Sequence, residues 1–167
     1  MWREISGFFE ESPAKLRVAR LMVELGLGID DEKRIVCGMV KIPDLSIARA
    51  SGVDRRAVRG MVEDVMGDPR MREIFCGLKP AGSFLRDVAP ALGYSVIEIR
   101  ADPSSVGVIA KATAIIAEAK LVIRQILAED PDLNPDPKLL IITSRPVPGE
   151  VVYRLLAVPT VTKVSLS

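Results

Sequence analysis

Histidine does not occur in this sequence of 167 residues, and that absence removes whole classes of chemistry at once. A Ser-His-Asp triad, a Cys-His pair and a histidine-ligated metal are all excluded. Only two cysteines occur, Cys37 and Cys76, far apart and at no spacing known for metal or redox sites. They read as buried free thiols, packing as small hydrophobes in a reducing compartment. No apolar run approaches the roughly 18 residues of a membrane span, and the start "MWREISGFFEESPAK" is too charged for a signal peptide. A soluble, cytoplasmic protein is expected. Charge of one sign is also missing: the net charge is +1, which excludes a generally basic nucleic-acid coat protein but not a local basic surface. No phosphate loop, metal cluster or catalytic carboxylate spacing appears, so neither an enzyme nor a metal or cofactor site is expected.

What is present suffices for a packed core, with 49% hydrophobic and 27% charged residues. The length fits one domain or two small ones, and the hydrophobic periodicity divides the chain. Through residue 69 it is helical. "SPAKLRVARLMVELGLG" begins with Ser12 as N-cap and Pro13 at the first helical position, and Gly26 and Gly28 are natural stops. "RIVCGMV" reads as a short extended segment. "DLSIARASG" follows as a short helix with Asp44 as its cap. The next helix runs from Asp54 as N-cap to Gly67 and Pro69, and Val58, Met61, Val62 and Val65 form one buried stripe at i, i+3, i+4, i+7. At about 100° per residue, Arg56, Arg59, Gly60 and Glu63 fall on the opposite face, with Arg55 at the flank.

The stretch "SGVDRRAVRG" lies between those two helices. A helix-turn-helix needs a small residue in its first helix, a turn residue free to take positive φ, and apolar pins that hold the second helix with its outer face toward the major groove. Ala48, Gly52, Val53, Val58 and Met61 meet that spacing. Arg55, Arg56 and Arg59 are then the candidate DNA-binding residues, at a helix start where phosphates and base edges are met. A small bundle whose arginines only solvate its surface has the same pattern. Residues 1–70 carry 12 basic and 12 acidic side chains, so non-specific DNA affinity is expected to be weak and salt-dependent.

Residues 70–92, punctuated by proline and glycine, read as a connector with one or two short helices. From Gly93 onward the pattern is strand, helix, strand, strand, helix, strand. The fold class expected is α+β: a helix-turn-helix domain over 1–69, then a ferredoxin-like βαββαβ domain over 93–167. Its first helix, "VIAKATAIIAEA", carries Val108, Ala112, Ile115, Ile116 and Ala119 on one face. Gly107 at that helix start would let a ligand approach the backbone, the first helical N–H groups suit a carboxylate, and Ser104 and Ser105 add hydroxyls. Either serine can equally serve as a plain helix cap.

The segment "DPSSVGVIAKATAIIAEAKLVIRQI" resembles the ACT domain, a family that binds small effectors, commonly amino acids, and pairs its sheets between subunits. The family's acidic residue followed by Pro-Gly is met in part: Gly107 matches the glycine, Val106 stands in the proline's place, Asp102 lies two residues further back, and Lys120-Leu121 stands where the family commonly has an asparagine. The resemblance implies a ligand site at Asp102, Ser104, Ser105, Val106 and Gly107. "GVDRRAV", the stretch "IFCGLKPAGSFLRDVAPALGYSVIEI" and this tail are together similar to archaeal proteins described as predicted regulators of amino-acid metabolism. That likeness spans nearly the whole chain and implies an amino-acid-responsive transcription regulator. An effector-binding protein that acts on a protein partner without touching DNA is the other reading. A homodimer is expected, since a small four-stranded sheet leaves edges to cover.

Overall fold

The structure, a computed structural model, describes residues 1–167, and the chain forms two compact units, Met1–Gly82 and Ser83–Ser167. The boundary between them falls inside the 70–92 stretch. Residues 69–77 are helical in the first unit with Met71 and Phe75 buried, while Leu85 and Ala89 pack on the sheet of the second. Apolar residues spaced along each half of the stretch draw it into the two cores.

In the first unit, α1 (Trp2–Phe8) and α2 (Pro13–Leu25) precede a three-stranded antiparallel sheet, β1 (Gly28–Ile29), β2 (Ile35–Cys37) and β3 (Val40–Lys41). The extended segment read from "RIVCGMV" is therefore a hairpin: Cys37 faces Val40, and Gly38 and Met39 form its two-residue turn. Three further helices follow, α3 (Asp44–Ser51), α4 (Arg55–Gly67) and α5 (Pro69–Gly77). Pro43 occupies the N-cap position of α3 and Asp44 is its first helical residue, so the helix begins one position earlier than the sequence suggested. Ile5, Val18, Met22, Ile35, Met61 and Phe75 are among the buried side chains of this unit. The cysteines are free but not buried as expected: Cys37 is half-buried in its short strand, and Cys76 is exposed on α5, one position beyond the buried Phe75.

The second unit has the expected order, β4 (Ser95–Ala101), α6 (Val108–Glu118), β5 (Ile123–Ala128), β6 (Leu139–Thr143), α7 (Gly149–Leu156) and β7 (Val161–Leu166). The strands run β5-β6-β4-β7, all neighbours antiparallel, which is the ferredoxin-like arrangement. One face buries Ile97, Ile99, Leu139 and Ile141 against Ala112 and Ile116 of α6 and Val151 and Leu155 of α7. The other face carries Val96, Leu140 and Ile142, covered by Leu85, Ala89 and Tyr94. Because β6 is covered on both faces, all five of its residues are buried and its sequence is a continuous apolar run. The Gln125 side chain fastens the entering chain to edge strand β5: its Oε1 accepts from Leu85 N–H at 3.0 Å and its Nε2 donates to Ser83 O at 3.0 Å. No helix is long and apolar enough to cross a membrane.

Candidate nucleic-acid interface and ligand cleft

The turn between α3 and α4 is built as the spacing requires. Gly52 takes the left-handed conformation, φ 64° and ψ 38°, and ends α3; Val53 N–H then returns to Ala48 O at 2.9 Å. Any residue with a Cβ is disfavoured at that φ. Ala48 is buried, so the small residue sits where the two helices meet. Asp54 starts α4 by accepting from Ala57 N–H at 2.8 Å. Val58, Met61, Val62 and Val65 are buried, so Arg55, Arg56 and Arg59 are left on the exposed side.

The three arginines are not equivalent. Arg59 Nε donates to Asp44 Oδ2 at 3.1 Å, across to the first residue of α3. Arg55 and Arg56 have no acidic partner and stand free at the helix start. Gly60, expected on the outer face, is instead half-buried. Lys15 of α2 crosses it to reach Asp64 at 2.5 Å, and a Cβ at Gly60 would lie 3.1 Å from Lys15 Cε. The exposed edge of α4 is therefore Arg55, Arg56, Arg59 and Glu63.

In the second unit the β4–α6 turn is held by its own polar atoms. Asp102 Oδ1 accepts from Ser104 Oγ at 2.7 Å and from Ser104 N–H at 2.9 Å, and Asp102 N–H donates to Thr160 O at 3.2 Å. Those two serine donors hold the Asp102 carboxyl below the ordinary range by favouring its charged form. Neither serine caps α6. Gly107 occupies the N-cap position at φ 87°, a left-handed conformation, and no side chain closes the helix start. Thr160, across the turn, is itself held at φ 72°, unusual for a β-branched residue.

A cleft of about 140 Å³ lies between this turn and the loop joining β5 to β6. Asp102, Ser105, Val108 and Ile109 line one side, Ala128, Glu129, Pro131 and Pro137 the other, with Ile99 and Leu139 among its apolar residues. Of the five residues expected at a ligand site, Asp102 and Ser105 face this cleft. Ser104 is turned onto Asp102, Val106 projects almost fully into solvent, and Gly107 shapes the turn from outside the lining. The β5–β6 side was not foreseen. "DPDLNPDP" reads only as a polar turn, and its place opposite Asp102 depends on hairpin closure, in which Glu129 N–H donates to Lys138 O at 3.0 Å.

No model of a known protein family matches the chain, and no curated protein matches it. Among solved structures it is similar to an AsnC family transcriptional regulator from Agrobacterium tumefaciens, at 12% identity over 93% of this chain and 88% of that one, with a TM-score of 0.29. It is similar also to MtbAldR, at 12% identity over 93% of this chain and 91% of that one, with a TM-score of 0.27.

Proposed function

We propose that this chain is a ligand-responsive transcription regulator, which reads DNA with α4 and binds a small effector, an amino acid, in its second unit. The observation that carries the reading is the α3–Gly52–α4 hairpin. Its buried stripe fixes α4 and leaves Arg55 and Arg56 unpaired and exposed at the helix start. That is where a recognition helix meets base edges and phosphates. The effector site is the cleft at the β4–α6 turn. Its apolar walls take an apolar side chain, Asp102 faces a ligand's ammonium group, and the open start of α6 offers N–H groups to a carboxylate. Two copies join through the second unit, whose edge strand β5 exposes Ile126 and Leu127 and thereby invites pairing. Such a dimer presents two reading helices to half-sites roughly 34 Å apart.

The test is fluorescence anisotropy with genomic promoter fragments over a range of salt, for the wild type and for the double variant Arg55→Ala, Arg56→Ala. Binding that falls steeply with salt and is lost in the double variant supports the reading. Equal binding by the two proteins removes α4 as the reading element. A thermal-shift screen of the twenty amino acids tests the effector half, because a ligand that binds only the native state raises its melting temperature.

A further inference from the structure

The cleft at the β4–α6 turn carries one carboxylate on each wall. Asp102 stands on the side of the turn and Glu129 on the side of the β5–β6 loop, with Ile99, Leu139, Val108 and Ile109 as apolar surface around them. Each carboxylate is fixed by one oxygen and leaves the other open. Asp102 Oδ1 takes both donors of Ser104, and Oδ2 accepts nothing from the chain. Glu129 Oε2 accepts from Asn134 Nδ2 at 2.7 Å and from Lys138 N–H at 3.1 Å, and Oε1 accepts nothing. Both groups are thus oriented from within the fold while each keeps an oxygen for a ligand.

The charge of the cleft is not balanced from within. Lys138 is the one basic residue that lines it, and its Nζ lies 3.3 Å from Glu98 Oε1. Glu98 belongs to the other face of the sheet, the face of Val96, because residues two apart on a strand share a side. The Lys138 charge is therefore engaged by Glu98. The loop that carries Glu129 adds Asp130, Asp132 and Asp136 within eight residues, of which Asp136 is paired with Arg100. The field at the cleft is negative, and its apolar walls focus it. A metal ion does not match these donors, since no three acidic side chains come together to hold one. An organic cation with an apolar stem does: the stem covers the apolar surface, and a charged end meets each carboxylate.

We infer that the effector of this cleft is a basic amino acid, of the lysine or ornithine kind, with its α-ammonium group on Asp102, its methylene stem on Ile99, Leu139 and Val108, and its terminal ammonium on Glu129. The inference rests on the effector-site reading above and narrows it: the ligand's side chain is apolar along the stem and cationic at the end. A cleft of about 140 Å³ is well below the roughly 300–1,000 Å³ of a drug-sized pocket, which suits a single amino acid. The ligand's carboxylate has the open start of α6, where Gly107 stands at the N-cap position with no side-chain cap. Norleucine has the stem without the terminal charge. On binding it would leave Glu129 Oε1 desolvated and unpaired, and that cost discriminates against it.

Isothermal titration calorimetry on the full chain tests this with L-lysine, L-ornithine, L-norleucine and cadaverine, for wild type and Glu129→Gln. Glutamine keeps an acceptor for Asn134 and Lys138 N–H and removes the charge, and thermal melting without ligand checks that the fold is kept. Wild type is expected to prefer L-lysine or L-ornithine to L-norleucine by about ten- to hundredfold, the contribution of one charge-assisted hydrogen bond, and Glu129→Gln to remove that preference. Equal or tighter binding of L-norleucine by wild type overturns the inference and leaves the effector site standing. A preference for the basic amino acids that survives in folded Glu129→Gln overturns it too. If Glu129→Gln does not fold, the wild-type comparison with L-norleucine still decides. Cadaverine lacks the carboxylate, and its binding as tightly as L-lysine overturns the amino-acid class. If none of the twenty amino acids raises the melting temperature of the wild type, the effector reading itself fails and takes the inference with it.

Discussion

Arg59 of α4 is tied to Asp44 of α3, Nε to Oδ2 at 3.1 Å, so one of the three candidate DNA-binding arginines already has an anionic partner within the fold. The pair is largely exposed and contributes about 0–1 kcal/mol to stability. Its larger effect is on availability, because a guanidinium bound to a carboxylate must exchange it for a phosphate. Replacing Asp44 with alanine should therefore leave the melting temperature nearly unchanged and strengthen DNA binding. The slope of log affinity against log salt should steepen by about 0.9. An unchanged slope in anisotropy titrations would mean that Arg59 faces no phosphate.

Arg55 and Arg56 have no such restraint. Single alanine variants should tell reading from anchoring. An arginine bidentate to a guanine contributes about 1–3 kcal/mol of discrimination at one base pair, whereas a phosphate contact weakens binding to every sequence alike. Comparing each variant on the best site and on scrambled DNA assigns the role. Neither variant should change the unfolding transition.

Gly107 is where the second unit should be least tolerant of substitution. Its φ of 87° is left-handed, and a Cβ there would meet no atom, so the penalty of Gly107→Val is conformational and not steric. A β-branched residue in that region costs about 1–3 kcal/mol. Gly107→Asn should cost less, since asparagine tolerates this conformation. Denaturant titration checks the order Gly, Asn, Val. Equal stabilities would show that the turn relaxes to negative φ.

The Asp102 turn should respond to acid in a defined sense. Ser104 Oγ and then Ser104 N–H favour the charged carboxylate, so the folded-state pKa lies below the unfolded value near 3.8. A depressed folded pKa gives a contribution that is present above the unfolded pKa and lost as pH falls through the folded one. The turn should thus be intact at neutral pH and loosen only below the ordinary carboxylate range. Carboxyl NMR titration should show Asp102 titrating low in the wild type and moving up in Ser104→Ala. Coincident curves would remove Ser104 Oγ as the cause.

Thr160 accepts the Asp102 N–H through its carbonyl while holding φ at 72°. Glycine at that position keeps the carbonyl and relieves the Cβ conflict. Thr160→Gly should be neutral or stabilising by up to about 1 kcal/mol, against the usual loss on introducing glycine. A clear fall in melting temperature would show that the Thr160 side chain has a packing role that its exposure does not suggest.

The two periodicities of the chain carried most of the fold. The 3.6-residue stripe Val58, Met61, Val62 and Val65 fixed α4 and thereby the exposure of Arg55 and Arg56. The order of strands and helices after Gly93 was legible because each segment buries a different pattern. Three features were not legible, each for the same reason. Gly60 is covered by Lys15, and that depends on α2 crossing α4. Arg59 is paired by a residue 15 positions earlier. Glu129 faces the β4–α6 turn only once the β5–β6 hairpin closes. Local pattern gives which side of an element is buried, not which distant side chain arrives on the other.

The strand order β5-β6-β4-β7 has a consequence for the making of the protein. Strand β4 is the first of its sheet to leave the ribosome, yet its two neighbours, β6 and β7, are the last two strands to be synthesised. The sheet cannot be completed until residues 161–166 have emerged, whereas every element of the first unit is present by Gly77. Helices with local contacts form fast, and sheets that pair distant strands form slowly. On each nascent chain the helical half therefore exists as a folded object before its companion does. For that interval the first unit stands folded with no folded second unit attached to it.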